Sequence, residues 1–199
     1  PDDDGYYIDD QVQLGFRRLS IIDVEGGHQP LSIESERYWI IFNGEIYNYV
    51  ELREELIAAG YQFATHSDTE VIINLYHQKG PAAVKELRGM FGFVIWDKEE
   101  KVLFGARDPF GIKPFYYTES NGKFIFGSER KSLLLAVEKD EFNPEALQHY
   151  LTYQYVPEPY TLTKGIYKLE PGHYFTKRSD SPMQVEQYWH PTFKPVAKQ

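Results

Sequence analysis

The sequence predicts an α+β fold in which helices pack on antiparallel sheets, rather than a parallel doubly wound one. Three observations carry this. Segments with helical start and stop signals are grouped apart from a run of short β-rich segments joined by turns, whereas a parallel sheet would alternate strand and helix throughout. The 16 tyrosines and 13 phenylalanines favour sheets, since flat rings pack well on a pleated surface. With 199 residues, 42% of them apolar, the chain can form one core that buries roughly 70% of its unfolded surface.

The first helix starts at Asn48-Tyr-Val-Glu51, with Asn48 placed to cap the free amides and Glu51 to reach back. Val50, Leu52, Leu56 and Ile57 are its apolar positions, and Gly60 stops it. Ser67-Asp-Thr-Glu70 repeats the capping pattern before Val71, Ile72 and Leu75, with Gly80 as the stop. Pro81 opens a short third helix that Gly89 closes, and Asn143-Pro144 caps a fourth running through Leu147, Tyr150 and Leu151. Strands are expected at Leu14–Ile22, Tyr38–Phe42, Phe91–Asp97, Lys101–Ala106, Phe115–Thr118 and Lys123–Ser128, with hairpin turns at 97–101 and at Asn121-Gly122. The run Phe91-Gly-Phe-Val-Ile-Trp96 is almost wholly apolar, so both its faces should be covered. Tyr174–Thr176 and Val185–Trp189 are expected as edge strands. Residues 1–190 then read as one domain, and 191–199, rich in Pro and Lys, as a linker leaving it.

A net charge of −9 argues against nucleic acid as a partner, because phosphates demand a basic face. There is no run of about eighteen apolar residues to span a bilayer and no charged-then-apolar leader. The chain is therefore expected to be soluble, with no membrane partner. It contains 0 Cys, which suits a cytoplasmic location and rules out cysteine chemistry by these residues. The six histidines lack ligand spacing, so no metal is expected. No phosphate-binding Gly-rich loop and no Gly-x-Ser-x-Gly elbow is present.

Three segments place polar groups where the surrounding pattern does not require them. Arg17-Arg18 interrupts an apolar strand; an arginine held there presents a fork of donors suited to a carboxylate, or simply forms a surface salt bridge. Asn43-Gly44 reads either as a turn or as an oxyanion hole, with the Asn43 amide and the Gly44 N–H aimed at one spot. In His66-Ser67-Asp68-Thr69-Glu70, Ser67 and Glu70 explain themselves as caps; Asp68 either complements the helix dipole or binds an ammonium group.

Taken in order, these segments resemble the N-terminal glutaminase domain of glutamine-hydrolysing asparagine synthetases, which are class II glutamine amidotransferases of the N-terminal-nucleophile (Ntn) hydrolase superfamily. The resemblance runs through Pro1-Asp2-Asp3-Asp4-Gly5, Arg18-Leu19-Ser20-Ile21-Ile22-Asp23, Gly27-His28-Gln29-Pro30, Phe42-Asn43-Gly44-Glu45-Ile46-Tyr47-Asn48 and Ser67-Asp68-Thr69-Glu70. It continues through Gly89-Met90-Phe91, Ala106-Arg107-Asp108-Pro109-Phe110-Gly111-Ile112-Lys113-Pro114 and Gly127-Ser128-Glu129-Arg130-Lys131. The resemblance implies a four-layer αββα sandwich of two stacked antiparallel sheets. It also implies that Arg18 grips the glutamine α-carboxylate with Leu19, Ser20, Ile21 and Ile22 lining the pocket, that Glu45 and Asp68 hold the α-ammonium, and that Asn43 and Gly44 stabilise the oxyanion.

The family's nucleophile is a cysteine at the mature N-terminus, with its own α-amino group as base. On the family's pattern this chain starts downstream of that cysteine, so an N-terminal strand and helix of the sandwich are expected to be missing and the chain alone to be inactive. A fragment of a longer parent, a naturally shortened glutamine-binding protein and a relative of β-lactam synthetase are three readings of that start. The resemblance further implies a C-terminal synthetase domain as partner, carrying the Mg-ATP site, with no cofactor in the glutaminase domain itself; a homodimer is an assembly it allows. The glutaminase domain of another amidotransferase, or a non-catalytic glutamine-binding module, is the alternative function.

Overall fold

The computed structural model describes residues 3–18, 27–135, 137 and 140–193. Among these the chain forms, in order, β1 (Asp3–Ile8), β2 (Gln13–Arg18), β3 (Leu31–Ile33), β4 (Tyr38–Ile46), α1 (Tyr49–Ala58), α2 (Asp68–Lys79) and a 3-10 helix (Gly80–Lys85). Then follow β5 (Gly89–Asp97), β6 (Val102–Arg107), β7 (Tyr116–Ser120), β8 (Lys123–Gly127), α3 (Arg130–Leu134), α4 (Pro144–Tyr153), β9 (Tyr167–Lys168), β10 (His173–Lys177) and β11 (Gln184–Gln187).

A six-stranded sheet in the order β11-β10-β6-β5-β4-β3 forms the middle of the molecule. The apolar run in β5 sits inside it, and Phe91 to Asp97 are all buried, as a strand covered on both faces should be. On one face Ile40, Phe42, Ile46, Phe91 and Ile95 pack against Leu52 and Leu56 of α1 and Val71, Ile72 and Leu75 of α2. On the other, Trp39, Ile41, Val94, Trp96, Leu103 and Phe175 meet Val12 and Leu14 beside and in β2, and Tyr117, Phe124 and Phe126 of β7 and β8. That second layer consists of a β8-β7-β9 sheet and the β1-β2 hairpin, all pairings antiparallel. Leu133 of α3 is buried against Gly127 of β8, on which α3 packs. The result is an α+β fold of stacked antiparallel sheets with helices. No helix among the described residues is long and apolar enough to cross a membrane.

Several expectations are corrected by tertiary context. Asn48 does not cap α1; its side chain accepts from the Arg88 amide at 2.9 Å and donates to the Glu86 carbonyl at 2.9 Å, tying the segment before β5 to the helix start. Val50 and Ile57 are exposed, so Leu52 and Leu56 carry the burial of α1. In α4 the Asn143 cap forms, but Tyr150 and Leu151 stay exposed. β10 is an interior strand, hydrogen-bonded to β6 on one side and β11 on the other, so of these two strands β11 alone lies at an edge. The turn at Asn121-Gly122 forms as expected, with φ of 52° and 71°. Strands β1 and β3 and helix α3 lack a strong local signal and are set by their partners.

Candidate functional site

β4 does not end at Phe42. It continues to Ile46, with Asn43 opposite Gly92 and Gly44 opposite Phe91 of β5, so Asn43-Gly44 is strand and not turn. Side chains alternate along a strand. Phe42 and Ile46 point to the helix layer, and Asn43 and Glu45 therefore project with Trp39 and Ile41 toward the second sheet layer.

Asn43, Gly44, Glu45 and Asp68 line one cavity of about 1200 Å³. Every residue of β2 from Gln13 to Arg17 and of β8 from Lys123 to Gly127 also lines it, whichever way its side chain alternates, as strands presenting an edge do. Among the described residues β2 pairs only with β1, and β8 only with β7. The space is larger than the ~300–1,000 Å³ typical of small-ligand pockets.

The amides of Phe42, Gly44 and Ile46 share one orientation, away from β5. Opposite Gly44, Phe91 turns its own groups the other way, donating to Asp108 Oδ2 at 3.2 Å and accepting from the Asp108 amide at 2.8 Å. At one end of the trio, Gln29 Oε1 accepts from the Phe42 amide at 2.6 Å. At the other, Asp68 Oδ2 accepts from the Ile46 amide at 3.0 Å. The Gly44 amide lies between them and finds no acceptor among the described residues. It is thus a backbone donor held in a rigid strand and left open beside a cavity, the requirement for stabilising a developing oxyanion.

Asp68 is 4% exposed and opens α2. Capping is carried by its neighbours: Ser67 Oγ accepts from the Thr69 amide at 3.2 Å. Glu70 does not reach back to Ser67. Its carboxylate accepts from the amides of Ala64 and Thr65 at 2.8 and 2.7 Å and from the Thr65 hydroxyl at 2.6 Å, fixing the approach to the helix. Among the described residues no lysine or arginine pairs with Asp68. Burial, and then the nearby Glu45 charge acting against the backbone amides that favour ionisation, raise its carboxyl pKa above the ordinary value. A buried carboxylate next to a second carboxylate, with no cation beside it among the described residues, is suited to receiving one.

The structure therefore brings Asn43, Gly44, Glu45 and Asp68 together. Arg18 ends β2 opposite Asp3, but its side chain, like Leu19, Ser20, Ile21 and Ile22, lies outside the described residues. Two contributors were not read from the sequence as parts of the site. Gln29 could have been found only from the β3 register: Leu31 opposite Ile40 places residue 29 opposite Phe42. Asp108 is fully buried and collects the amides of Phe91, Phe110, Ile112 and Lys113, bracing β5 behind Gly44.

Residues 1–189 match the family model of the glutamine amidotransferase domain. The chain is 58% identical over 196 residues to asparagine synthetase (glutamine-hydrolyzing) 1 of Bacillus subtilis (strain 168), covering 98% of this chain and 31% of that protein. It is 47% identical over 192 residues to a putative asparagine synthetase (glutamine-hydrolyzing) of Mycobacterium tuberculosis (strain ATCC 25618 / H37Rv), covering 92% of this chain and 29% of that protein. The chain thus spans about a third of the length of these relatives. Among solved structures, the glutamine phosphoribosylpyrophosphate amidotransferase of B. subtilis superposes with a TM-score of 0.64 at 21% identity, over 90% of this chain and 35% of that one. That likeness is one of fold, the stacked antiparallel sheets expected of Ntn-hydrolase amidotransferases.

Proposed function

This chain belongs to the glutamine amidotransferase domain family, and on that premise we propose that residues 1–190 are the glutamine-recognising body of the glutaminase domain of a cytoplasmic, glutamine-hydrolysing asparagine synthetase. Residues 191–199 lead toward a synthetase domain. The observation that carries the reading is the open Gly44 amide in β4, flanked by Asn43 and set beside Glu45 and Asp68. Those two carboxylates hold the α-ammonium of glutamine, Arg18 takes its α-carboxylate, and on the family's pattern Leu19, Ser20, Ile21 and Ile22 line the pocket.

The thiolate of an N-terminal cysteine outside these 199 residues attacks the side-chain carbonyl carbon of glutamine. The carbonyl electron pair moves onto oxygen, where the Asn43 amide group and the Gly44 N–H receive it. Collapse of the tetrahedral adduct breaks the C–N bond, and the nitrogen leaves as ammonia with a proton returned by the α-amino group. Water then hydrolyses the thioester to glutamate and free thiol. Mg-ATP would be held by the synthetase domain, where it would supply the activation of aspartate that lets ammonia attack. The 0 Cys of the chain favour, for these residues by themselves, a second reading as a glutamine-binding module without turnover.

Asp68 provides the test. In the full-length protein with its nucleophile replaced by alanine, L-glutamine affinity measured by calorimetry should fall as pH drops through the raised Asp68 pKa, because protonation removes the charge that faces the ammonium. Asp68→Asn should weaken binding roughly tenfold at neutral pH and remove the part of the acid limb lying above the ordinary carboxylate range. Without ligand the sign reverses. A carboxyl whose folded pKa exceeds its unfolded value binds its proton better when folded, so stability is greatest below that window and falls as pH rises through it. An affinity for glutamine that is independent of both pH and Asp68 would defeat the assignment.

A further inference from the structure

We propose that Gln29 is a positioning residue that holds the oxyanion donors and the ammonium-binding carboxylate of the glutamine site in register; this rests on the reading of the site given above. Gln29 is 5% exposed, and its amide group makes three hydrogen bonds. Its Oε1 accepts from the Phe42 amide at 2.6 Å, and its Nε2 donates to the Phe42 carbonyl at 3.2 Å and to Thr69 Oγ1 at 3.3 Å. Phe42 directly precedes Asn43, and Thr69 directly follows Asp68.

The need for this arrangement follows from the ladder. β3 pairs with β4 only as far as Leu31 opposite Ile40. Beyond that point the outer edge of β4 has no strand partner among the described residues. Gln29 stands opposite Phe42 and satisfies both backbone groups of Phe42 with its side chain, in place of a backbone partner. Two residues on, the Gly44 amide is left open, and two further on Asp68 closes the ladder at Ile46. Residues 43–45 are therefore fastened at both ends to the start of α2: at Ile46 by Asp68 itself, and at Phe42 through Gln29 and Thr69. Removing the Gln29 tie frees the Asn43 end of β4 to shift relative to Asp68, and a misplacement on the order of 1 Å can cost up to ~10²-fold in rate.

Steady-state glutamine hydrolysis by the full-length natural protein tests this. Gln29→Met keeps length and apolar contact while removing all three bonds; it should lower kcat roughly tenfold and raise KM for glutamine severalfold. Thr69→Val removes only the tie to α2, should produce a smaller change in the same direction, and should add little on top of Gln29→Met, since the shared bond is already gone. Thr69→Ser keeps the hydroxyl and should retain wild-type kinetics. If Gln29→Met does not fold, the contrast between Thr69→Val and Thr69→Ser decides. An active wild type whose kcat and KM are unchanged in the Gln29 and Thr69→Val variants, with only the melting temperature lowered, overturns the positioning role alone. A wild type that does not hydrolyse glutamine overturns the functional reading and this inference with it.

Discussion

Gly44→Ala is expected to destabilise the fold by about 3 kcal/mol or more, a fall of roughly 10 °C in melting temperature for a chain of this size. The added Cβ would lie 2.1 Å from the Met90 carbonyl oxygen and 2.7 Å from Phe91 Cα, both backbone atoms of the paired strand β5. Neither can yield by rotating a side chain. β5 cannot retreat as a whole, because β6 pairs with its other edge from Gly92 to Asp97 and Asp108 holds the Phe91 amide. β4 cannot lift away because Asp68 and Gln29 grip it at Ile46 and Phe42. Glycine here is a requirement of close approach rather than of backbone dihedrals. Thermal unfolding of the paired proteins checks this, and a change under about 1 kcal/mol would show that β4 and β5 separate more easily than the contacts imply.

Asn43→Ala should act on rate and hardly on stability. Its side chain is half-buried on the cavity face of β4, packs in neither core cluster, and is therefore cheap to truncate. In the full-length protein kcat for glutamine hydrolysis should fall on the order of 10²-fold, about 2.7 kcal/mol at the transition state, with a smaller change in KM. The split matters because an oxyanion donor is used only when charge develops on the substrate oxygen, whereas a group that holds the ground state would raise KM instead. A variant that raises KM and spares kcat would reassign Asn43 from the reacting carbonyl to substrate recognition.

What the sequence made legible, and what it did not, separates along a physical line. The helix starts at Ser67 and Asn143, the buried run Phe91–Asp97 and the Asn121-Gly122 hairpin all depend on neighbours within a few residues, and all form as expected. Taken alone Asn43-Gly44 read as a turn, because local propensity carries no information about Met90 and Phe91 lying behind it; pairing with β5 decides for strand. Asn48 left its cap for the same reason, since Arg88 and Glu86, about forty residues on, offer it better-placed partners. In the site, Asn43, Gly44, Glu45 and Asp68 were identifiable by residue type and family likeness. Gln29 was not, since a glutamine beside a proline has no chemical signature until the strand register places it opposite Phe42.

The most direct measurement is glutamate release from L-glutamine by the full-length natural protein, compared with the same protein after the proposed N-terminal cysteine nucleophile is replaced by alanine. The proposed glutaminase predicts turnover in the first, none above background in the second, and ammonia formed in equal amount to glutamate. Turnover that survives loss of the cysteine, or no turnover at millimolar glutamine in the intact protein, would contradict it.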